Sequence, residues 1–544
     1  MIILRWVLRR FVRIPEKDGK YAYSFILIFL IATTIGAIIF AIGNPTGASL
    51  FSHAMNIGKA VAINGFFFLA WGIVIGALLS LIYLPIPRLF LATFSYTIYS
   101  SVTILLDENN GTLFSYIIGI SYSLFAIVVG LIFISFFHKK TRIVVTFAAI
   151  FTAVAAIPVY LFVAPIDNSN YGSLQAVTSN YTTNVSVDNP AESGKYDYTF
   201  LTYGSGQDKQ REAFGDDVDI ITQTVDASSF ITRWSEDRQA FWGFNPSNLP
   251  VNGRVWLPDA VGPFPVVLMV HGNHTMEYFS TSGYDYLGEL LASRGFIAIS
   301  VDEDFINYSN ATGIPNRNYE LRAWMILKHL AQLQAMNQTS GHPFYQKIDF
   351  NQVGLIGHSR GGQAALMAAD FETYFDDERL LKSMDNVDIK GVVALAPTDK
   401  KIEGKSKPYL DNVSYLLIQG ARDGDVTNFR GDRQFYRTKI DEDSSAFTST
   451  LYIADANHSQ FNTEWGRMDL SVPRGLFLNR MQLMEPEDQQ QIAKVYISAF
   501  FETIFHEKEP YRKLFRDYRY GKDWLPDTTF VNKYQDGNYK PIIE

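Results

Sequence analysis

Apolar residues fill five long stretches of the first 165 positions, at 23–42, 60–83, 89–106, 113–137 and 143–164, with very few charges between them. A helix rises ~1.5 Å per residue and the hydrocarbon core of a bilayer is ~30 Å thick, so each run has the length of a membrane-spanning helix. Buried helices of a soluble domain would carry polar faces, and a cleaved signal peptide would not be followed by four further runs. After residue 165 the pattern changes. Residues 166–197 are rich in Asn, Ser, Thr, Tyr and Gly with no apolar period and read as a linker. From 198 onward, apolar bursts at 265–270 (PVVLMV), 296–301 (FIAISV), 353–356 (VGLI), 391–395 (GVVAL), 413–418 (VSYLLI) and 449–453 (STLYI) alternate with helical spacing at 320–336 and 489–505. Apolar strands separated by amphipathic helices predict an α/β domain whose mostly parallel central sheet is flanked by helices. The expected organisation is a basic segment at 1–22, a five-helix transmembrane domain at 23–165, the linker at 166–197 and the α/β domain at 198–544.

Charge divides the chain at the same place. Of 47 Lys and Arg and 55 Asp and Glu, the first 165 residues hold eleven and four, so a chain of formal charge −8 splits into parts of +7 and −15. The acidic second part offers no basic face to a phosphate backbone, so nucleic acid is not expected as a partner. The chain has no cysteine, which excludes disulfide frameworks, thiolate metal sites and a cysteine nucleophile. With 15% aromatic and 19% charged residues, both parts have the composition of folded protein.

Basic residues in short loops are retained in the cytoplasm, and here they fall on one side. Arg5, Arg9, Arg10, Arg13, Lys17 and Lys20 precede the first run, Arg88 lies between the second and third, and Lys139, Lys140 and Arg142 between the fourth and fifth. The opposite side has Lys59, with Asp107 and Glu108. The amino terminus is expected inside and, after five crossings, everything beyond Pro165 outside, an arrangement that suits a bacterial plasma membrane. The opening MIILRWVLRRFVRI reads equally as an amphipathic helix lying on the inner leaflet and as a plain basic juxtamembrane segment. Within the runs Asn64 is the most polar interior side chain, and ionisable groups sit only at their ends. Ion and proton paths need such groups, so an anchor is expected rather than a transporter.

The chemistry is concentrated after the strand at 353–356, where the chain reads VGLIGHSRGG. Gly357 and Gly361 bracket Ser359 at two residues on either side, and Gln363, Ala364 and Ala365 continue as a helix start. A serine on so tight a strand-to-helix turn needs small neighbours, and the turn lifts its hydroxyl above the strand end beside a helix amino terminus. These residues, Gly357-His358-Ser359-Arg360-Gly361, resemble the nucleophile elbow of the α/β-hydrolase superfamily, in its branch of dienelactone hydrolases, bacterial polyester hydrolases and platelet-activating-factor acetylhydrolases. The resemblance covers roughly 240–510.

That resemblance implies a serine hydrolase with its triad in the order Ser, acid, His. The family places its histidine just after the last strand, where this chain has His458 in ADANHSQFNTEW; His506 ends a helix and reads as solvated. The acid is expected in Gln419-Gly420-Ala421-Arg422-Asp423-Gly424-Asp425-Val426, where Asp423 matches the family spacing, Asp425 competes and Asp432 is a more distant candidate. The oxyanion donors implied are the backbone N–H groups of Arg360 and of Asn273 in His271-Gly272-Asn273-His274. His271 and His274 without a third clustered ligand do not make a zinc site, and neither metal nor cofactor is expected. Asp302, Glu303 and Asp304 read as a solvated loop, with a cation site or substrate rim as the alternative. Tyr278, Phe279, Phe305 and Trp465 are aromatic candidates for the mouth, and Arg360 and Glu464 for an ion pair beside it.

The functional expectation is a membrane-anchored serine hydrolase that cleaves a carboxylic ester through an acyl-enzyme, with an amphiphilic substrate such as a lipid or envelope ester suggested by the bilayer. Ester over amide rests on the resemblance alone, since the same groups serve peptidases and acyltransferases. The competing class is an inactive, hydrolase-like binding or sensing protein, against which stands the filling of every triad position.

Overall fold

The computed structural model describes residues 2–107, 111–136 and 187–539. It divides into two compact units, Met1–Pro165 with Leu470–Met481, and Ile166–Asp469 with Gln482–Glu544.

In the first unit, α1 (Ile2–Val12) precedes α2 (Ala22–Gly43), α3 (Leu50–Leu81), α4 (Arg88–Asp107) and α5 (Thr112–Phe136). The last four are long and apolar enough to cross a membrane. The fifth expected run, 143–164, lies outside the described residues. Three runs match their expected limits closely, but α3 begins at Leu50 rather than 60, because the Ser49 hydroxyl accepts from Ser52 N and caps an earlier first turn. Asn64 is buried where three helices meet: its Nδ2 donates to Thr33 Oγ1 and Thr34 Oγ1 of α2, and its Oδ1 accepts from Tyr96 of α4. In an apolar surround an amide must find such partners. The segment Leu470–Met481 was not foreseen as part of this unit. Phe477 meets Phe114 edge to face at 5.2 Å, and Val472 lies so close to Gly43 that a β-carbon there would fall 1.7 Å from its carbonyl oxygen. Gly43 and Phe114 lie at the ends of α2 and α5 away from the basic amino-terminal segment.

The second unit is built on a ten-stranded sheet in the order β12-β11-β9-β7-β6-β4-β5-β3-β1-β2. Its strands are β1 (Tyr198–Gly204), β2 (Ile220–Ile221), β3 (Gly253–Pro258), β4 (Phe264–Val270), β5 (Ile297–Val301), β6 (Ile348–His358), β7 (Ile389–Leu395), β9 (Ser414–Gly420), β11 (Phe447–Ile453) and β12 (Phe530–Asp536). Two short strands, β8 (Leu410–Asp411) and β10 (Thr438–Lys439), pair separately. The six expected strands are β4, β5, β6, β7, β9 and β11, and they form the parallel centre. β3 is antiparallel to both its neighbours, and β12 to β11.

Alternate residues of each central strand face opposite ways. Val266, Leu268 and Val270 pack with α7 (Asn318–Gln338) and α8 (Arg360–Ala369), whereas Val267 and Met269 pack with α6 (Asp285–Ser293) and α9 (Pro486–Phe505). Strand order reverses around β4, since β5 lies on one side of it and β6 on the other. The loops after β4 and β6 therefore diverge at a switch point, the place where an open α/β sheet builds its site. The end of the expected linker is not free: Tyr196 N donates to Ser293 O, Gly194 N to Ser293 Oγ, and Asp188 O accepts from Tyr511.

Candidate active site

Ser359 is the single residue between the end of β6 and the start of α8, with φ 57° and ψ −119°. A side chain at positive φ costs on the order of 1–3 kcal/mol and persists only where its surroundings impose it. They do so here. Ser359 N donates to Leu395 O on the neighbouring strand, while Ser359 O accepts from Gly362 N and Thr398 N. A β-carbon on Gly357 would lie 2.2 Å from Gly361 O, and one on Gly361 2.4 Å from Val270 O, so both flanking positions tolerate glycine alone. Gly272 brings the β4 loop equally close, for a β-carbon there would lie 3.1 Å from Ser359 Oγ. The backbone N–H of Arg360 opens α8, where no earlier turn supplies an acceptor. In the loop after β4 the Asn273 side chain is fixed by its Oδ1, which accepts from Tyr308 N. Arg360 N, next to Ser359 in the chain, and Asn273 N, next to the closely packed Gly272, are the candidate backbone donors for this site.

His458 follows β11 and is buried. Its Nδ1 lies 2.8 Å from Asp423 Oδ2, in the loop after β9. Asp423 also accepts from Gln419 Nε2 and from the backbone N–H groups of Asp425 and Val426, so its orientation is fully determined. Asp425 points elsewhere: its Oδ2 lies 3.6 Å from the other ring nitrogen, Nε2. Asp432 pairs with Lys533. Nε2 is buried and has no hydrogen-bond partner among the described residues. Burial disfavours the imidazolium, but Asp423, then Asp425 and Asp469, outweigh it and push the His458 pKa up to about 9.

Two neighbours of this ring were not anticipated. Asp469 accepts from the N–H groups of His458, Ser459 and Gly424, tying the histidine loop to the acid loop. His358 is buried in the elbow, its Nε2 3.0 Å from His458 O and its Nδ1 2.9 Å from Tyr284 Oη. A carbonyl can only accept, so Nε2 carries the proton and Nδ1 accepts from the tyrosine. Burial and the neighbouring His458 hold its pKa well below the usual histidine range. The small residues flanking His358 hinted at crowding, but Asp469 lies eleven positions beyond His458 with no pattern to mark it.

The expectation of a solvated loop at Asp302, Glu303 and Asp304 is overturned: all three are fully buried. The reason is Arg211, more than 90 residues upstream, whose guanidinium donates to Asp302, Asp304 and Asp208. Arg322 of α7 pairs with Glu303 at 2.8 Å and donates to His271 O. Two guanidinium groups leave the cluster acid-rich, and burial pushes Glu303 up to about 8 and Asp304 up to about 7. His271, Asp302 and Asp304 bring potential ligand atoms within 4.8 Å of one another. Those atoms are already engaged, because Arg211 holds both carboxylates and His271 Nε2 accepts from Glu303 N.

Of the aromatic candidates, Trp465 reaches the site, stacked on His274 at 5.2 Å and on His358 at 4.5 Å. Phe305 packs on Phe244 in the core, and Phe279 on Trp242 beneath Arg211. Tyr278 is exposed. Arg360 and Glu464 do not pair: Arg360 donates to Asn318 and lies over Tyr319, while Glu464 accepts from Ser282. His506 binds Glu502.

No curated protein matches the chain. A family model does: residues 251–462 match PETase, described as PET hydrolase-like, a span that contains Asn273, Ser359, Asp423 and His458 but neither Arg211 nor Asp469. Together with the sheet order and the strained serine turn, this match makes the region at 251–462 a PETase-like domain of the α/β-hydrolase superfamily, the class of polyester hydrolases.

Proposed function

We propose that the protein is a membrane-anchored serine hydrolase that cleaves a carboxylic ester through an acyl-enzyme. The observation that carries this reading is Ser359, held at φ 57° on the turn from β6 into α8, together with His458, whose Nδ1 is bound to a buried carboxylate at 2.8 Å. Ser359 Oγ attacks the ester carbonyl and its proton passes to His458 Nε2. Asp423 keeps the Nδ1 proton in place and stabilises the imidazolium. The N–H groups of Asn273 and Arg360 receive the negative charge that develops on the carbonyl oxygen. The alcohol leaves with the proton from His458, and water, activated by the same ring, releases the acid.

The four apolar helices support an anchor, and the excess of basic residues before α2 supports an inward amino terminus. The five apolar runs of the sequence, an odd number of crossings from an inward amino terminus, favour an outward hydrolase domain. A bacterial plasma membrane and an amphiphilic ester fit this placement. The test is labelling of the full-length, detergent-solubilised protein with a fluorophosphonate, which places phosphorus on an activated serine. Wild type should label and Ser359→Ala should not; a folded wild type that fails to label overturns the reading and favours a binding or sensing role. Hydrolysis of p-nitrophenyl esters of increasing chain length, with and without lipid vesicles, then tests the amphiphilic preference, which equal rates throughout would remove.

A further inference from the structure

A general base has to offer a free lone pair to the nucleophile, yet the carboxylate nearest that lone pair here is Asp425. Its Oδ2 stands 3.6 Å from His458 Nε2, while Asp423 holds Nδ1 at 2.8 Å, so the imidazole lies between two carboxylates, one on each nitrogen. The two acids differ in setting. The Asp423 side chain is fully buried and takes four hydrogen bonds, whereas the Asp425 side chain is 45% exposed and makes no other ion pair or hydrogen bond among the described residues. Ser359 Oγ has no hydrogen bond to Nε2, which is buried and otherwise unpartnered.

We infer that Asp425 is a positioning residue for His458: by facing Nε2 it holds the protonated ring away from Ser359 and sets the pH above which the serine becomes reactive. This rests on the serine-hydrolase reading and deepens it. The groups facing His458 come from four places: Asp423 and Asp425 from the loop after β9, Asp469 from the segment after His458, His358 from the end of β6 and His274 from the loop after β4. Asp423 and Asp469 are anchored by backbone donors and stay in place. Asp425 is attached through its backbone alone, its N–H donating to Asp423 Oδ1, so its carboxylate is free to swing into solvent. When the ring loses its proton, the attraction to Asp425 goes with it, and Nε2 becomes available to the Ser359 hydroxyl. Asp423 orients the base; Asp425 determines when it is free.

The experiment follows the fluorophosphonate labelling rate of the full-length protein in detergent from pH 5 to 10. In that reaction a bond forms between Ser359 Oγ and phosphorus, fluoride leaves, and the hydroxyl proton passes to His458 Nε2. The rate therefore follows the neutral fraction of His458 and rises through its pKa. Asp425→Asn removes one negative charge from beside Nε2 and should move this rise down by about one pH unit, which is roughly tenfold faster labelling on the acid side. Asp425→Glu, which restores the charge, should bring the rise back toward the wild-type position. An unmoved rise in a fully labelling Asp425→Asn protein overturns the inference and leaves the hydrolase reading intact. Loss of labelling in Asp425→Asn, with labelling kept in Asp423→Asn, also overturns it, by making Asp425 the orienting acid. Absence of labelling in wild type at every pH defeats the hydrolase reading itself.

Discussion

Two charged networks border Ser359, and they are built on opposite principles. Behind the β4 loop, Asp208, Asp302, Glu303 and Asp304 are closed off from water around Arg211 and Arg322. On the other side, Asp423, Asp425 and Asp469 surround a histidine, and one of the three reaches solvent. Arginine is always charged and fixes its partners in a rigid fork, so the first network holds a shape. Histidine changes charge near neutral pH, so the second can move a proton. The proposed hydrolysis, which has to keep an oxyanion pocket still while passing a proton through a ring, would use both kinds. The contrast separates carboxylates that serve structure from those that serve chemistry, a distinction that residue type alone does not make.

The largest effect should come from Asp423→Asn, which keeps the shape of the side chain but turns an acceptor of the Nδ1 proton into a group that also donates. The ring then holds the wrong tautomer, and kcat/KM on a p-nitrophenyl ester should fall by about four orders of magnitude with little change in thermal unfolding. A loss under tenfold would move the orienting role to another acid. Next comes Arg211→Met, which removes the cation from a site where Asp302 and Asp304 remain buried. An uncompensated buried charge costs about 3–5 kcal/mol, read as a lowered midpoint in urea, with part recovered in the double variant with Asp302→Asn. If Arg211→Met is as stable as wild type, the first network is not held by its arginine, and the contrast with the histidine side fails.

How much of this was legible in the sequence follows the same division. The six parallel strands and the serine turn were readable because both depend on neighbours in the chain: unbroken apolar runs for buried strands, and glycines two positions either side of Ser359 for the crowded turn. The antiparallel strands β1, β3 and β12 were not read. β1 and β12 lie toward the edges of the sheet, where an end or face meets water and the apolar run is broken, and β3 (GRVWLP), though nearly all buried, is interrupted by Arg254 and bounded by Gly253 and Pro258. Asp302, Glu303 and Asp304 looked solvated because three adjacent acids are normally surface residues, and the cation that buries them comes from Arg211, far upstream. Asp469 and the insertion of Leu470–Met481 among the helices are likewise long-range facts with no local mark. Asp423 and Asp425 sit two residues apart in one loop, so spacing could narrow the acid to a pair but only geometry separates their contacts.

The smallest effect tests whether the two networks act on Ser359 separately or through a shared support. His358 lies between them: it sits in the elbow, accepts with one nitrogen from Tyr284 of the segment before α6, a hydroxyl that feels the charge of Asp304, and carries the backbone of His458 with the other. Tyr284→Phe removes the hydroxyl that donates to His358 Nδ1 and leaves the ring packed as before. A buried acceptor without its donor should cost about 1 kcal/mol of stability. The His358 Nε2 proton still reaches His458 O, so the base stays in place, and kcat should change by less than about tenfold. The pH at which labelling rises should not move, because no charge near His458 has changed. A shift of that rise in Tyr284→Phe would mean that the ring of His458 is positioned from beneath, through His358, as much as from the side by its carboxylates, and the separation between a network for shape and a network for protons would have to be redrawn around the histidine they share.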